Sequence, residues 1–168
     1  DVALSVRQLG DRGYILGGVT QSSVWASYLI RTDSLGTPIW SRVYDTLSVN
    51  ECNEVIVTSD GGFILVGEKV NLSTDTDVLL IKLDASGNQV WQKEYGGVNA
   101  DQGNSIRQLP DGGFAVAGMT GSFGAGSWDV YVLRTNALGD TLWTRTFGGS
   151  SDDRGFSVER AQDGGIVV

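Results

Sequence analysis

The ten residues L-P-D-G-G-F-A-V-A-G, 109–118, hold an Asp-Gly-Gly turn signal followed by an alternating run of small and apolar residues. A glycine-rich turn that opens into period-two alternation reads as one strand of a hairpin. What decides the fold is that the stretch recurs. It returns as T-S-D-G-G-F-I-L-V-G at 58–67 and L-G-D-R-G-Y-I-L-G-G at 9–18, and A-Q-D-G-G-I-V-V at 161–168 begins a fourth copy.

Between these copies lie I-W-S-R-V-Y (39–44), V-W-Q-K-E-Y (90–95) and L-W-T-R-T-F (142–147). The period is 51 residues from Trp40 to Trp91 and 52 from Trp91 to Trp143. From each tryptophan to the next turn aspartate (Asp60, Asp111, Asp163) the interval is always 20 residues. Every change of length falls in 21–25, 70–76 and 121–128, as expected of a surface loop on a fixed unit.

Each unit reads as four strands. In the third copy these are S-I-R-Q-L (105–109), F-A-V-A-G-M-T (114–120), D-V-Y-V-L-R-T (129–135) and T-L-W-T-R-T-F (141–147). Gly13, Gly62, Gly113 and Gly165 recur at one turn position and are expected to supply a positive φ there. Gly36, Gly87 and Gly139 are expected to do so at the second turn. Arg12 replaces the first glycine of the first Asp-Gly-Gly, so only the second glycine reads as obligatory. Tandem four-stranded antiparallel units of about 50 residues predict an all-β fold, a β-propeller with three full blades and part of a fourth. The blades span about 4–49, 54–100, 105–152 and 156–168. Trp40, Trp91 and Trp143 fall on the outermost strands, where a large ring fills the widening gap between blades. Arg42, Lys93 and Arg145, two residues on, can cover the indoles with their stems.

The pattern W-Q-K-E-Y-G-G…D-Q-G-N-S-I…D-G-G-F-A-V-A-G resembles the bacterial β-propeller repeats of exported and surface proteins, over nearly all 168 residues. The resemblance implies an extracellular or cell-surface location, reached after removal of a signal peptide not present here, and often a large multidomain parent. It implies no established activity and carries no catalytic residues. The first copy departs from the pattern at Asp45-Thr46, in place of Gly-Gly, and at Asn50 and Cys52, in place of Asp101 and Gly103. Its last loop is therefore expected to differ in shape.

Composition narrows function by exclusion. A net charge of −8 argues against nucleic-acid and anionic-membrane partners. No apolar run approaches the ~20 residues of a membrane span. The single cysteine, Cys52, forbids an intrachain disulfide and, without histidine, reads as inert. The absence of histidine removes Ser-His-Asp chemistry and imidazole metal sites. The segment G-S-F-G-A-G-S-W (121–128) joins two strands and lacks the Lys-Ser/Thr ending of a phosphate loop.

What remains is a non-catalytic scaffold, adhesion or protein-interaction module. Its expected partners are other domains of a larger parent or other copies of itself. The alternative is a glycan- or peptide-binding module that uses the variable-loop aromatics Trp25, Phe123 and Trp128, with Asp101 and Asp153 beside them. A third is a hydrolase with a carboxylate pair on the same face. No cofactor is expected except Ca²⁺, for which Asp75, Asp77 and Asp152 are candidates without any EF-hand-like loop to support them. Asp101 and Asp153 occupy equivalent repeat positions with Asn50, which favours a loop-fixing role for their side chains.

Overall fold

The computed structural model describes residues 1–21, 24–44, 48–70 and 75–168. These residues form fourteen strands and no helix, hence no helix long and apolar enough to cross a membrane. Sheet 1 contains β1 (Val2–Gln8), β2 (Tyr14–Gln21), β3 (Trp25–Thr32) and β4 (Pro38–Tyr44). Sheet 2 contains β5 (Asn50–Val57), β6 (Phe63–Val70), β7 (Thr76–Leu83) and β8 (Gln89–Tyr95). Sheet 3 contains β9 (Asp101–Gln108), β10 (Phe114–Thr120), β11 (Asp129–Thr135) and β12 (Thr141–Phe147). The short strands β13 (Glu159–Arg160) and β14 (Ile166–Val167) pair as a fourth, two-stranded sheet. Each four-stranded sheet is an antiparallel meander in chain order. Among the described residues no strand pairs across sheets, and the array does not close on itself.

Stacking follows from burial. Sheet 2 lies between sheets 1 and 3, so F-I-L-V in β6 and V-L-L-I in β7 are apolar at consecutive positions, since both faces must be covered. Leu65, Leu79, Ile81 and Leu83 join Ile15, Leu29 and Tyr44 of sheet 1 in one core cluster. Ile64, Val66, Val78 and Leu80 join Phe114, Val116, Tyr131 and Leu133 of sheet 3 in a second. A smaller cluster, Leu109, Ala115, Ala117 and Val158, lies on the far face of sheet 3.

The outer strands close these junctions with aromatic contacts. Trp40 meets Phe63 edge-on at 6.0 Å, and Trp91 meets Phe114 at 6.2 Å. Arg42 and Arg145 lie over their own tryptophans at 5.9 and 5.8 Å. The hydroxyl of Tyr44 donates to Gly87 O at 2.9 Å, and that of Tyr95 donates to Gly139 O at 2.6 Å. Burial pushes the Tyr44 phenol up to about 12.

Two expectations need correction. The first strand of a unit begins at Asn50 and Asp101, earlier than the 105 read for the third copy. A β-bulge at Leu4, Asn53 and Asn104 breaks the alternation by which a strand is recognised. The turn glycines also exchange roles. Positive φ falls on the first residue of each pair: Arg12 (68°), Gly61 (78°), Gly112 (83°) and Gly164 (87°). Gly13, Gly62, Gly113 and Gly165 have no such backbone. Three of them are required for space, because a methyl group at Gly13, Gly62 or Gly113 would overlap the carbonyl oxygen of Thr32, Leu83 or Thr135. At Gly165 the nearest atom is Asp163 Oδ1, at 3.1 Å from where a Cβ would sit. The second-turn glycines 36, 87 and 139 do have positive φ, at 85°, 79° and 81°.

The turn aspartates tie each hairpin together. Asp11, Asp60 and Asp111 accept the N–H of Gly13, Gly62 and Gly113 and pair with Arg31, Lys82 and Arg134 of the third strand. Burial opposes ionisation of Asp60, but hydrogen bonds from Thr58, Lys82 and the Gly62 N–H outweigh it and hold the carboxyl at about 2. These turn geometries predict opposite outcomes for adjacent glycines. Gly113→Ala is expected to cost roughly 3 kcal/mol from steric overlap. Gly112→Asn, at a position where unit 1 carries arginine, is expected to cost about 1 kcal/mol or less. Urea unfolding of both variants checks the contrast.

Candidate functional site

Two regions gather polar side chains: the inner edge of the sheets, and the loop end that carries 96–100, 121–128 and 148–155.

At the inner edge, bulges place the first strands of successive sheets in register with one another. The Val55 N–H donates to Ser5 Oγ at 3.2 Å, Ile106 N–H to Glu54 Oε2 at 2.8 Å, and Val158 N–H to Ser105 Oγ at 3.2 Å. One position per repeat (Ser5, Glu54, Ser105) therefore satisfies a backbone donor of the next sheet. The bulged residues add a second bond: Asn53 Nδ2 donates to Gly103 O at 3.0 Å and Asn104 Nδ2 to Gly155 O at 2.8 Å. Where Glu replaces Ser, charge enters. Glu54, 8% exposed, pairs with Arg7 on one side and with Arg107 at 2.7 Å on the other, and Arg107 reaches Glu159 at 2.6 Å. The hydrogen bonds it donates to Glu159 and Glu54 push the Arg107 guanidinium further up. A cleft of about 380 Å³ runs along this edge, lined by Arg7, Asn53, Glu54, Asn104, Arg107 and Phe156 among others. The carboxylate that lines it, Glu54, faces an arginine on each side, which suits cohesion between sheets.

The loop end holds the residues singled out from the sequence. Trp25 is the first residue of β3 rather than a loop residue, and is 36% exposed. Trp128 lies in the loop before β11 and is half-buried. Strand register makes the two repeat-equivalent, with Thr76 at the same place in sheet 2. They therefore stand on sheets 1 and 3 with a whole sheet between them. Phe123, 45% exposed, stacks on Tyr131 at 5.9 Å and 28°. Its loop is fastened to the preceding one: Asn99 N–H donates to Ser122 Oγ at 3.0 Å, and Asn99 Nδ2 donates to Gly121 O at 2.9 Å.

Asp101 is fully buried as the first residue of β9, and its Oδ2 accepts Gly97 N–H at 2.8 Å and Ser122 Oγ at 2.7 Å. Asp153 Oδ2 likewise accepts Gly149 N–H at 2.9 Å. Asn50, at the same repeat position, accepts Ser27 N–H at 2.8 Å. Asp129 is 2% exposed and holds the variable loop through Ala125 and Gly126 N–H, each at 3.0 Å. The carboxylates of Asp77 and Asp101 close on Gly96, and those of Asp129 and Asp153 on Gly148, so that a Cβ at either glycine would strike both. Asp75 caps its neighbour Thr76 N–H at 3.0 Å, and exposed Asp152 pairs with Arg154 at 3.3 Å. Among the described residues no group of three or more His, Cys, Asp or Glu is arranged to hold a metal ion. Asp45 and Thr46 lie outside the described residues, as do 22–23 and 71–74 of the first two variable loops. Cys52 is fully buried, and burial pushes its thiol up to about 12, far from a reactive thiolate.

One carboxylate does sit uneasily. Glu68 of β6 lies opposite Glu51 of β5, and burial, then the charge of Glu51, push its carboxyl up from 4.5 to about 7. The folded state thus keeps a proton that the unfolded chain has lost above pH 4.5, and stability falls as pH rises through 7. Glu68→Gln is expected to be near neutral at pH 5 and stabilising at pH 8, by on the order of 1–2 kcal/mol after solvent screening. Glu54→Ala, which removes the carboxylate partner of Arg7, one of the two carboxylates on Arg107 and the acceptor of the Ile106 N–H, is expected to cost about 2–3 kcal/mol, against about 1 kcal/mol for Ser105→Ala. Denaturant titrations at both pH values measure each difference.

No protein-family model matches the chain. The chain is 26% identical over 134 residues to the regulatory protein FlaEY of Caulobacter vibrioides, a match that takes in 72% of this chain and 14% of that protein. It therefore spans a small part of the length of the curated relative it matches. Among solved structures, the crystal structure of a protein of unknown function from Bacteroides caccae is similar at a TM-score of 0.57 and 16% identity, over 92% of this chain and 49% of that one. At that identity the likeness is one of fold.

Proposed function

We propose that the chain is a run of β-propeller blades that serves as a non-catalytic scaffold and protein-interaction module within a larger exported or cell-surface protein. The observation that carries this reading is the commitment of its polar side chains. Asp101, Asp129 and Asp153 are spent on backbone N–H groups of their own loops, and Glu54 on two arginines and the next sheet. Little is left over to act on a substrate, whereas the stacking contacts repeat from junction to junction. Similarity to 14% of one long bacterial protein and 49% of a solved structure fits a module set within more of the same architecture. The name of the Caulobacter protein speaks for regulation in that protein, a role compatible with a module that holds partners rather than transforms them.

A second reading, a glycan- or peptide-binding face, draws on exposed Phe123, which stacks against Tyr131 and shares its loop with Trp128. The two readings part on one experiment. The purified chain is screened for turnover of glycoside, peptide and phosphoester panels, and for binding on glycan and peptide arrays. Under the scaffold reading no substrate turns over, and Asp101→Asn and Asp153→Asn only lower Tm, by about 3–6 °C. Turnover abolished by Asp153→Asn overturns it, and array binding lost in Phe123→Ala establishes the second reading instead.

A further inference from the structure

Between sheets 2 and 3 a glutamine side chain bridges two turns. Gln108, the last residue of β9, accepts the Ser59 N–H of the sheet 2 turn through Oε1 at 2.7 Å. Its Nε2 donates to Gly112 O, in the turn of its own sheet, at 3.1 Å. One carboxamide thus joins a backbone donor on one sheet to a backbone acceptor on the next.

Between sheets 1 and 2 the same two backbone groups are present without the carboxamide. Strand register places Val57 where Gln108 stands, Gly10 where Ser59 stands and Gly61 where Gly112 stands. Among the described residues no protein group meets Gly10 N–H or Gly61 O. Both glycines line a pocket of about 280 Å³, walled by the apolar side chains of Leu9, Val57, Phe63 and Ala85. The pocket lies between two complete four-stranded sheets. Arg31 and Asp11 also line it. In the other two units the equivalent cation ties down a backbone carbonyl as well as its aspartate, Lys82 that of Leu83 and Arg134 that of Thr135. Arg31 donates to Asp11 alone among the described residues, and its remaining guanidinium N–H groups are left for a ligand.

We infer that this pocket binds the glutamine side chain of a partner polypeptide, whose carboxamide joins Gly10 to Gly61 as that of Gln108 joins Ser59 to Gly112. The carboxamide oxygen accepts Gly10 N–H, its nitrogen donates to Gly61 O, and the methylenes lie against Leu9, Val57 and Phe63. A carboxylate fits worse, because it has no donor for Gly61 O and meets the charge of Asp11. A site that hydrogen-bonds both ends of an amide rejects such an analogue, since a polar group is then left unpaired. The inference rests on the protein-interaction reading for its choice of a polypeptide. A peptide that fails to bind leaves the turnover screen untouched, so the two can fail separately.

The test titrates the isotope-labelled 168-residue chain with the peptide acetyl-Leu-Gln-Leu-amide and follows backbone amide shifts by NMR. Saturable shifts at Gly10 and Gly61 are expected. Glutamate in place of the peptide's glutamine should weaken binding about tenfold, as loss of one hydrogen bond implies. Val57→Gln supplies the carboxamide from the chain itself and is expected to abolish the shifts. Gly10→Pro removes the N–H at a position where the third copy carries Pro110, and should weaken binding by a similar factor, followed at Gly61. The dispersion of each spectrum establishes that the variant is folded. Absence of saturable shifts overturns the inference, as does equal affinity for the glutamate peptide or binding retained in Val57→Gln. Butanamide that binds as tightly as the peptide also overturns it, since the pocket then takes a free small amide and not a partner's side chain.

Discussion

An indole ring resting on the bare Cα of a glycine in the next sheet is the contact on which the rest of this structure depends. A four-stranded sheet of seven- or eight-residue strands must cover its apolar faces with another layer. Sheet 2 is the extreme case, apolar on both faces, and it exists only as the middle of a stack. At the outer edge, where stacked sheets splay apart, Trp40 and Trp91 span the gap, and only a turn without a side chain lets them reach across. The turn must also adopt a left-handed backbone at that glycine, and Asp33, Asp84 or Asn136 steadies it by accepting two backbone N–H groups. One residue thus answers a conformational demand in every complete unit and, at Gly87 and Gly139, a steric one as well.

The inner edge solves the converse problem. There the sheets converge, and large rings are replaced by short polar side chains that bridge backbone to backbone. A bulge frees the geometry for this, since it turns Asn53 and Asn104 toward the following sheet. Such bonds contribute about 1 kcal/mol each, less than the apolar clusters, but they are directional and fix the relative height of adjacent sheets. Glu54 is the exception that ties three sheets at once, and its two arginine partners offset the cost of burying its charge.

The parts of this arrangement that repeat were legible in the sequence, and the parts that depend on a distant strand or a neighbouring sheet were not. The 20-residue interval from Trp40 to Asp60, Trp91 to Asp111 and Trp143 to Asp163 located the outer strand and the following turn without any structure. Positive φ was assigned to Gly13, Gly62 and Gly113 because recurrence of a glycine cannot distinguish a backbone demand from a spatial one. The overlapping carbonyls of Thr32, Leu83 and Thr135 are 19 to 22 residues away in the chain. Arg12 was the available clue to tolerance at the other position, and it does carry the positive φ. The early start of β5 and β9 was hidden by the bulge. The Ser5–Glu54–Ser105 series was invisible as a motif because three positions share a role, acceptance of one N–H, and not a residue type.

A repeat of this kind also limits where function can be written. Positions fixed by stacking cannot vary, so whatever distinguishes one unit from another must lie where the copies disagree. At the bulge the series runs Leu4, Asn53, Asn104 and Phe156, with the two apolar members 50% and 70% exposed at the ends of the described array. At the start of the third strand it runs Trp25, Thr76 and Trp128. The acidic pair shows the same economy: Asp77 with Asp101 and Asp129 with Asp153 occur together, and in unit 1 both are absent together, as Ala26 and Asn50. Loss of both members at once is what a shared structural task predicts, because one buried carboxylate without the glycine-centred loop it braces would be a cost with no return. A ligand site would instead leave its mark in one unit alone. At the third junction the copies do disagree, since Phe147 and Ile166 stand where the earlier junctions have tyrosine and phenylalanine.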